Sequence, residues 1–127
     1  MKRRIHSTWI SRKEVRIYCI DFSGLGSDHT GLAAEIEASE AVLRQQPVNS
    51  LLVTVDLHQS EMMPEIAAFF NKYSVRGQNP IRKMVILGIT GLQRVWYPLA
   101  KGVNWPQTAI FLEDFEQAKD WLIAESF

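Results

Sequence analysis

Residues 50–70 read SLLVTVDLHQSEMMPEIAAFF, and this stretch decides the architecture. Leu51, Leu52, Val53, Val55 and Leu57 form a nearly continuous apolar run, broken only by Thr54 and Asp56. A strand with one wet face would alternate strictly. A run of this kind predicts burial on both faces, in the middle of a parallel sheet. His58-Gln59-Ser60-Glu61 then leaves the carboxyl end of the strand. Pro64 suits the first turn of a following helix, where its missing N–H is no loss. Ligands and partners of open α/β sheets bind outside the carboxyl ends of the strands, so the loop after Leu57 is where a site is expected.

Working outward toward the N-terminus, residues 47–49 (Pro-Val-Asn) connect this strand to a helix predicted over 30–46. Leu32, Ile36 and Leu43 share its apolar face, while Glu35, Glu37, Glu40 and Arg44 are assigned to other faces. Glu40 and Arg44 stand in the favourable i, i+4 order. Before it, Gly24-Leu25-Gly26 lacks the third glycine of a dinucleotide fingerprint and reads as a strand-to-helix loop. Residues 4–11 and 14–22 are predicted as a hairpin, with Trp9, Ile10, Val15, Ile17 and Ile20 as its apolar members and Arg12-Lys13 as its turn.

Toward the C-terminus, Ile66, Phe69, Phe70 and Tyr73 recur at i, i+3, i+4, i+7, one stripe of a helix over 64–75. KMVILGI (83–89) is a second buried strand by the same reading as the first. Thr90-Gly91-Leu92-Gln93 matches a capping box, so a helix starts there, with Leu92, Val95, Trp96 and Leu99 as its apolar face. Pro98 lies inside that helix and deprives the Arg94 carbonyl of its helical donor. Gly102 closes it, residues 108–112 form a short strand, and Asp114 caps a last helix with Phe115, Ala118 and Leu122 inward and Trp121 at one edge. The expected fold is α/β, a single domain over 1–127. Its sheet is mixed but mostly parallel, with about five strands and four helices in the order β-β-α-β-α-β-α-β-α.

Composition narrows the function. Fourteen basic and fourteen acidic residues cancel, which leaves no global field for nucleic acid. Lys2-Arg3-Arg4 is read as a solvated end. Cys19 is the only cysteine, so no internal disulfide forms, and it reads as a small buried hydrophobe. No apolar run is long enough to span a bilayer and no signal-peptide hydrophobic segment is present, so the expected location is cytoplasmic. His6, His29 and His58 are too widely spaced for a metal motif, and no cofactor is expected.

The element order, LLVTVDL before the second helix, KMVILGITGLQR, and the ending TAIFLEDFEQAKDWL resemble the STAS domain. They are most similar to its SpoIIAA-like branch, sometimes grouped with CRAL-TRIO lipid-binding domains. The resemblance covers nearly the whole chain and implies this fold and a binding role. STAS antagonists carry an Asp-Ser-Ser-Gly-like segment whose serine is phosphorylated. Here the matching loop is Asp56-Leu57-His58-Gln59-Ser60-Glu61, which keeps Ser60 but lacks the second serine and the glycine.

The expected function is therefore a non-enzymatic regulatory or binding module. Its candidate binding residues are Asp56, His58, Ser60, Met62, Met63, Thr90 and Arg94, with no catalytic and no metal-binding residue assigned. Arg94 lies in the first turn of a helix, where free N–H groups favour an anion. Met62 and Met63 precede a helix and are the expected interface methionines. The partner is a protein or a small apolar or anionic ligand, and a homodimer through Trp105-Pro106 or an edge strand is a further option. The alternative is a small enzyme using an Asp56/His58/Ser60 cluster, since these are the residue types of nucleophilic catalysis, although no G-x-S-x-G elbow accompanies them.

Overall fold

A computed structural model describes residues 4–124, so of the basic N-terminal triplet Lys2 and Arg3 lie outside the described residues. The elements are β1 (Thr8–Arg12), β2 (Val15–Asp21), α1 (His29–Leu43), β3 (Leu51–Asp56), α2 (Pro64–Lys72), β4 (Ile81–Leu87), α3 (Gly91–Lys101), β5 (Ala109–Phe111) and α4 (Phe115–Ile123). They build one five-stranded sheet in the order β1-β2-β3-β4-β5. The first pair is antiparallel and the remaining three are parallel. The mixed sheet, the four helices and their order are those the sequence predicts.

Parity along the strands sorts the core into two layers. Tyr18, Ile20, Val53, Val55, Met84 and Ile86 point to the side of α1 and α2, where they meet Leu32, Leu43, Ile66 and Phe70. Ile17, Leu52, Val85 and Leu87 point the other way, onto Ala118 and Leu122 of α4. Both faces of β3 are thus covered, which is why its sequence barely alternates. All four residues of the α2 stripe, Ile66, Phe69, Phe70 and Tyr73, are buried.

The hairpin turn falls one residue later than expected. Arg12 pairs with Val15, and Lys13 and Glu14 both have positive φ (51° and 69°). Such a two-residue loop matches the right-handed twist of the strands, and non-glycine residues occupy it at some strain. β4 ends at Leu87, two residues short of the predicted end. Gly88, at φ 87°, brings its backbone so close to the next loop that a Cβ there would lie 2.5 Å from the His58 nitrogen.

One assignment on α1 is corrected. Glu35 and Ser39 are fully buried and share the inner face with Leu32 and Leu43. Glu35 can be buried because its carboxylate accepts from the backbone N–H groups of His6 and Ser7 (2.9 and 3.1 Å) and from the Ser7 hydroxyl (2.7 Å). It thereby fixes the start of the first strand to the first helix.

α3 is unlike the other helices, for none of its residues is buried. Its capping box is formed as the sequence predicts: Gln93 N–H donates to Thr90 Oγ1 (3.1 Å) and Thr90 N–H donates to Gln93 Oε1 (2.9 Å). The Arg94 carbonyl, orphaned by Pro98, is taken up by the indole Nε1–H of Trp105 at 2.8 Å. Trp105 in turn packs edge-on against Phe70 and Phe111. Trp105 is half-buried and Pro106 buried, so this pair anchors α3 and does not offer the dimer surface expected of it.

Candidate functional site

Register explains the carboxyl end of the sheet. β2 and β3 run parallel with Cys19 beside Thr54 and Asp21 beside Asp56. Each strand thus finishes on an aspartate, and the two lie on the face that carries α4. α4 begins only at Phe115 and leaves the top of this face open. A cleft of about 270 Å³ results, lined by Asp21, Asp56, His58, Cys19, His6 and Glu113 among others.

The two aspartates hold their own loops. Asp56 Oδ1 accepts from the His58 N–H (2.9 Å) and from His58 Nδ1 (2.6 Å). Asp21 Oδ1 accepts from the Ser23 N–H (2.9 Å) and the Ser23 hydroxyl. Both are short-range bonds to residue i+2 that turn the chain off the strand. Burial pushes the Cys19 thiol up, with a hydrogen bond involving Thr54 opposing the shift, so the thiol stays protonated at neutral pH.

Ser60 faces away from this cleft chemistry. Its hydroxyl donates to the Phe22 carbonyl and accepts from the Leu25 N–H (3.0 Å). Around it the chain extends the parallel pairing beyond the strands: Gly24 N–H donates to the His58 carbonyl (2.7 Å), Gly26 N–H to that of Gln59 (3.0 Å), and Glu61 N–H to that of Gly26 (2.9 Å). Ser60 therefore staples two loops. An Asp56–His58 pair exists, but the hydroxyl that a triad needs is committed to the backbone.

Met62 and Met63 are buried, 7 % and 3 % exposed, and belong to the core under α2. They are not the surface methionines expected, because the Gly26–Ser60 bridge folds the loop back over the sheet before α2 begins. Thr90 serves as the cap of α3. Arg94 lies with its guanidinium 5.1 Å from the centre of the Phe111 ring, in a second cleft of about 410 Å³ that it shares with Glu113 and Asp114. Those carboxylates offset its field, and the first cleft carries Asp21 and Asp56 and shares Glu113. Neither is a good host for an anion. Among the described residues, no group of three or more His, Cys, Asp or Glu side chains is arranged to hold a metal ion.

The seven predicted residues are therefore divided among five places: Asp56 and His58 in one cleft, Arg94 in the next, Thr90 at the cap of α3, Ser60 in a staple, and Met62 and Met63 in the core. Asp21, His6 and Glu113 were missed as cleft residues. A signal for Asp21 is present: Tyr-Cys-Ile-Asp (18–21) and Val-Thr-Val-Asp (53–56) share a pattern, and parallel pairing sets their ends side by side.

What stands fully open at this end is the helix that follows Thr90. Leu92, Val95, Trp96 and Leu99 are 81, 65, 57 and 78 % exposed. The other side of α3 carries Gln93, Tyr97 and Pro98, which are half-buried toward the protein. Beneath it a cleft of about 400 Å³ separates Tyr97 and Lys101 from the segment Glu61, Met62, Met63 and Pro64. The amphipathic helix is thus turned with its apolar side outward. No protein-family model matches this chain, and no curated protein or solved structure matches it either. No helix among the described residues is long and apolar enough to cross a membrane.

Proposed function

We propose that this protein is a binding module of the STAS, SpoIIAA-like type that docks a protein partner through the outer face of α3. The element order and the closing strand–cap–helix segment support the family likeness. The observation that carries the docking role is the exposed stripe Leu92, Val95, Trp96 and Leu99. Isolated exposed apolar residues such as Val48 or Val75 are ordinary on a protein surface, but four on one helix face form a patch of the kind that marks an interaction site. Of the expected binding residues Met62 and Met63 are buried, so the reading keeps the helix that Thr90 caps and that carries Arg94. The cytoplasm is the compartment this reading assumes.

A photo-activatable amino acid at position 92, in protein expressed in its native host, tests the reading. A discrete cross-linked adduct is expected there and not from the same group at Val48. Absence of any adduct at position 92 would overturn the docking role.

A further inference from the structure

The apolar face of α3 has a symmetry that selects its partner. Resting on the docking reading above, we infer that the partner is a second copy of this chain, joined through an antiparallel α3–α3 pairing about a two-fold axis between Val95 and Trp96. The spacing i, i+3, i+4, i+7 is unchanged when the helix direction is reversed. Under a two-fold axis at its centre, Leu92 of one copy meets Leu99 of the other, and Val95 meets Trp96. Each large indole therefore faces the smallest side chain of the stripe, and like-sized leucines face each other at both ends. A closed two-fold contact requires this kind of self-complementarity.

Area and charge agree with it. Two such faces laid together bury on the order of 1,000 Å², the least area a specific contact between proteins needs. With fourteen charges of each sign the chain carries no net charge to repel its own copy. The cations of α3, Arg94 and Lys101, lie on the side of the helix away from the stripe, in clefts they share with Glu113 and Glu61, so no charge of the helix adjoins the apolar face. The carboxylates offset the cations of the polar face, which leaves the helix little to draw it to the anionic surface of a bilayer.

The wild-type chain is expected to sediment as a dimer at micromolar concentration. Leu92→Glu with Leu99→Glu should lower the association constant by roughly a hundredfold and leave the circular dichroism unchanged, since neither side chain is part of the core. In a Cys19→Ser background, oxidising an equimolar mixture of Leu92→Cys and Leu99→Cys proteins should link one of each, and neither protein alone should link to itself. A monomeric wild type, or self-linking as efficient as mixed linking, would overturn the pairing. So would a monomer that instead floats with phosphatidylcholine–phosphatidylglycerol vesicles. The photo-cross-linking separates the two proposals. An adduct with the mass of two chains supports both, an adduct with another protein overturns self-pairing alone, and no adduct overturns both.

Discussion

α2 and α3 carry the same apolar code and meet opposite fates. Ile66, Phe69, Phe70 and Tyr73 stand at i, i+3, i+4, i+7, and so do Leu92, Val95, Trp96 and Leu99. The first four are at most 6 % exposed and the second four at least 57 %. Both helices have start signals, Pro64 in one and the Thr90–Gln93 box in the other. Spacing therefore declares that a helix has two unlike faces and leaves open which face the protein takes. α2 lies on the side of the sheet lined by Val53, Val55, Met84 and Ile86. α3 precedes the three-residue edge strand β5 and is held by its polar side and by Trp105.

The contrast is sharpest between two aromatic residues. Phe70→Ala empties a fully buried position that touches both the aromatic cluster and the sheet, and should cost about 3–5 kcal/mol of stability. Trp96→Ala, the same kind of truncation on α3, should change the stability of the isolated monomer by no more than about 0.5 kcal/mol while weakening self-association. Urea unfolding at low protein concentration measures the first quantity and sedimentation the second. Equal losses of monomer stability would mean that α3 folds its apolar face inward in solution.

Backbone contacts are the next level down. Gly88→Ala forces a side chain onto a positive φ and into the His58 backbone, 2.5 Å from its nitrogen. The backbone strain alone is about 1–3 kcal/mol, and the loop holding the Asp56–His58 pair must move. A displaced His58 imidazole resonance together with a lowered unfolding midpoint is the expected result; an unchanged resonance would show that the loop does not rest on Gly88. Trp105→Phe keeps a ring against Phe70 and Phe111 but removes the donor to the Arg94 carbonyl. It should cost about 1 kcal/mol and speed amide exchange in α3 without affecting α2. Equal acceleration in both helices would mean that the indole supports the whole layer.

Legibility in the sequence followed the range of the interaction. The Leu51–Leu57 run, the capping box, the Pro64 start and the Asp114 cap are short-range signals, and each element they predict is present. Glu35 was assigned to an outer face because its hydrogen-bond partners, His6 and Ser7, lie 29 and 28 residues away. Met62 and Met63 are buried by a bridge between Gly26 and Ser60, again a contact between distant segments. The adjacency of Asp21 and Asp56 depends on strand register, which local pattern does not supply. Pro98 was read correctly as orphaning a carbonyl, yet the indole that satisfies it sits eleven residues away and no spacing rule names it.

Proton linkage gives the smallest expected effect and separates the two helices once more. α2 is tied to α1 through Glu40, whose carboxylate accepts from Lys72 and from the Tyr73 hydroxyl. Burial pushes the Glu40 carboxyl up, but the hydrogen bonds from Lys72 and Tyr73 outweigh it and hold the group below its usual range. Tyr73 is pushed above its usual range by burial first and by Glu40 second. Above the ordinary glutamate value of about 4.3 the unfolded chain gains nothing by binding a proton there, and the contribution of Glu40 is fully present. It is lost as pH falls through the lower folded value. Tyr73 acts at the other end: above about pH 10 the unfolded chain releases a proton that the folded chain retains, so stability falls as pH rises. The ties of α3, the capping box and the Trp105–Arg94 bond, contain no group that titrates in either window. Amide exchange of α2 should thus accelerate both below pH 4 and above pH 10 by a larger factor than that of α3, and Glu40→Gln should flatten the acid limb. An equal acid response in the two helices would place the linkage outside the α1–α2 contact, in the exposed Glu116 pairs of α4, where hydrogen bonds from Lys119 and Arg12 also hold the carboxyl below its usual range.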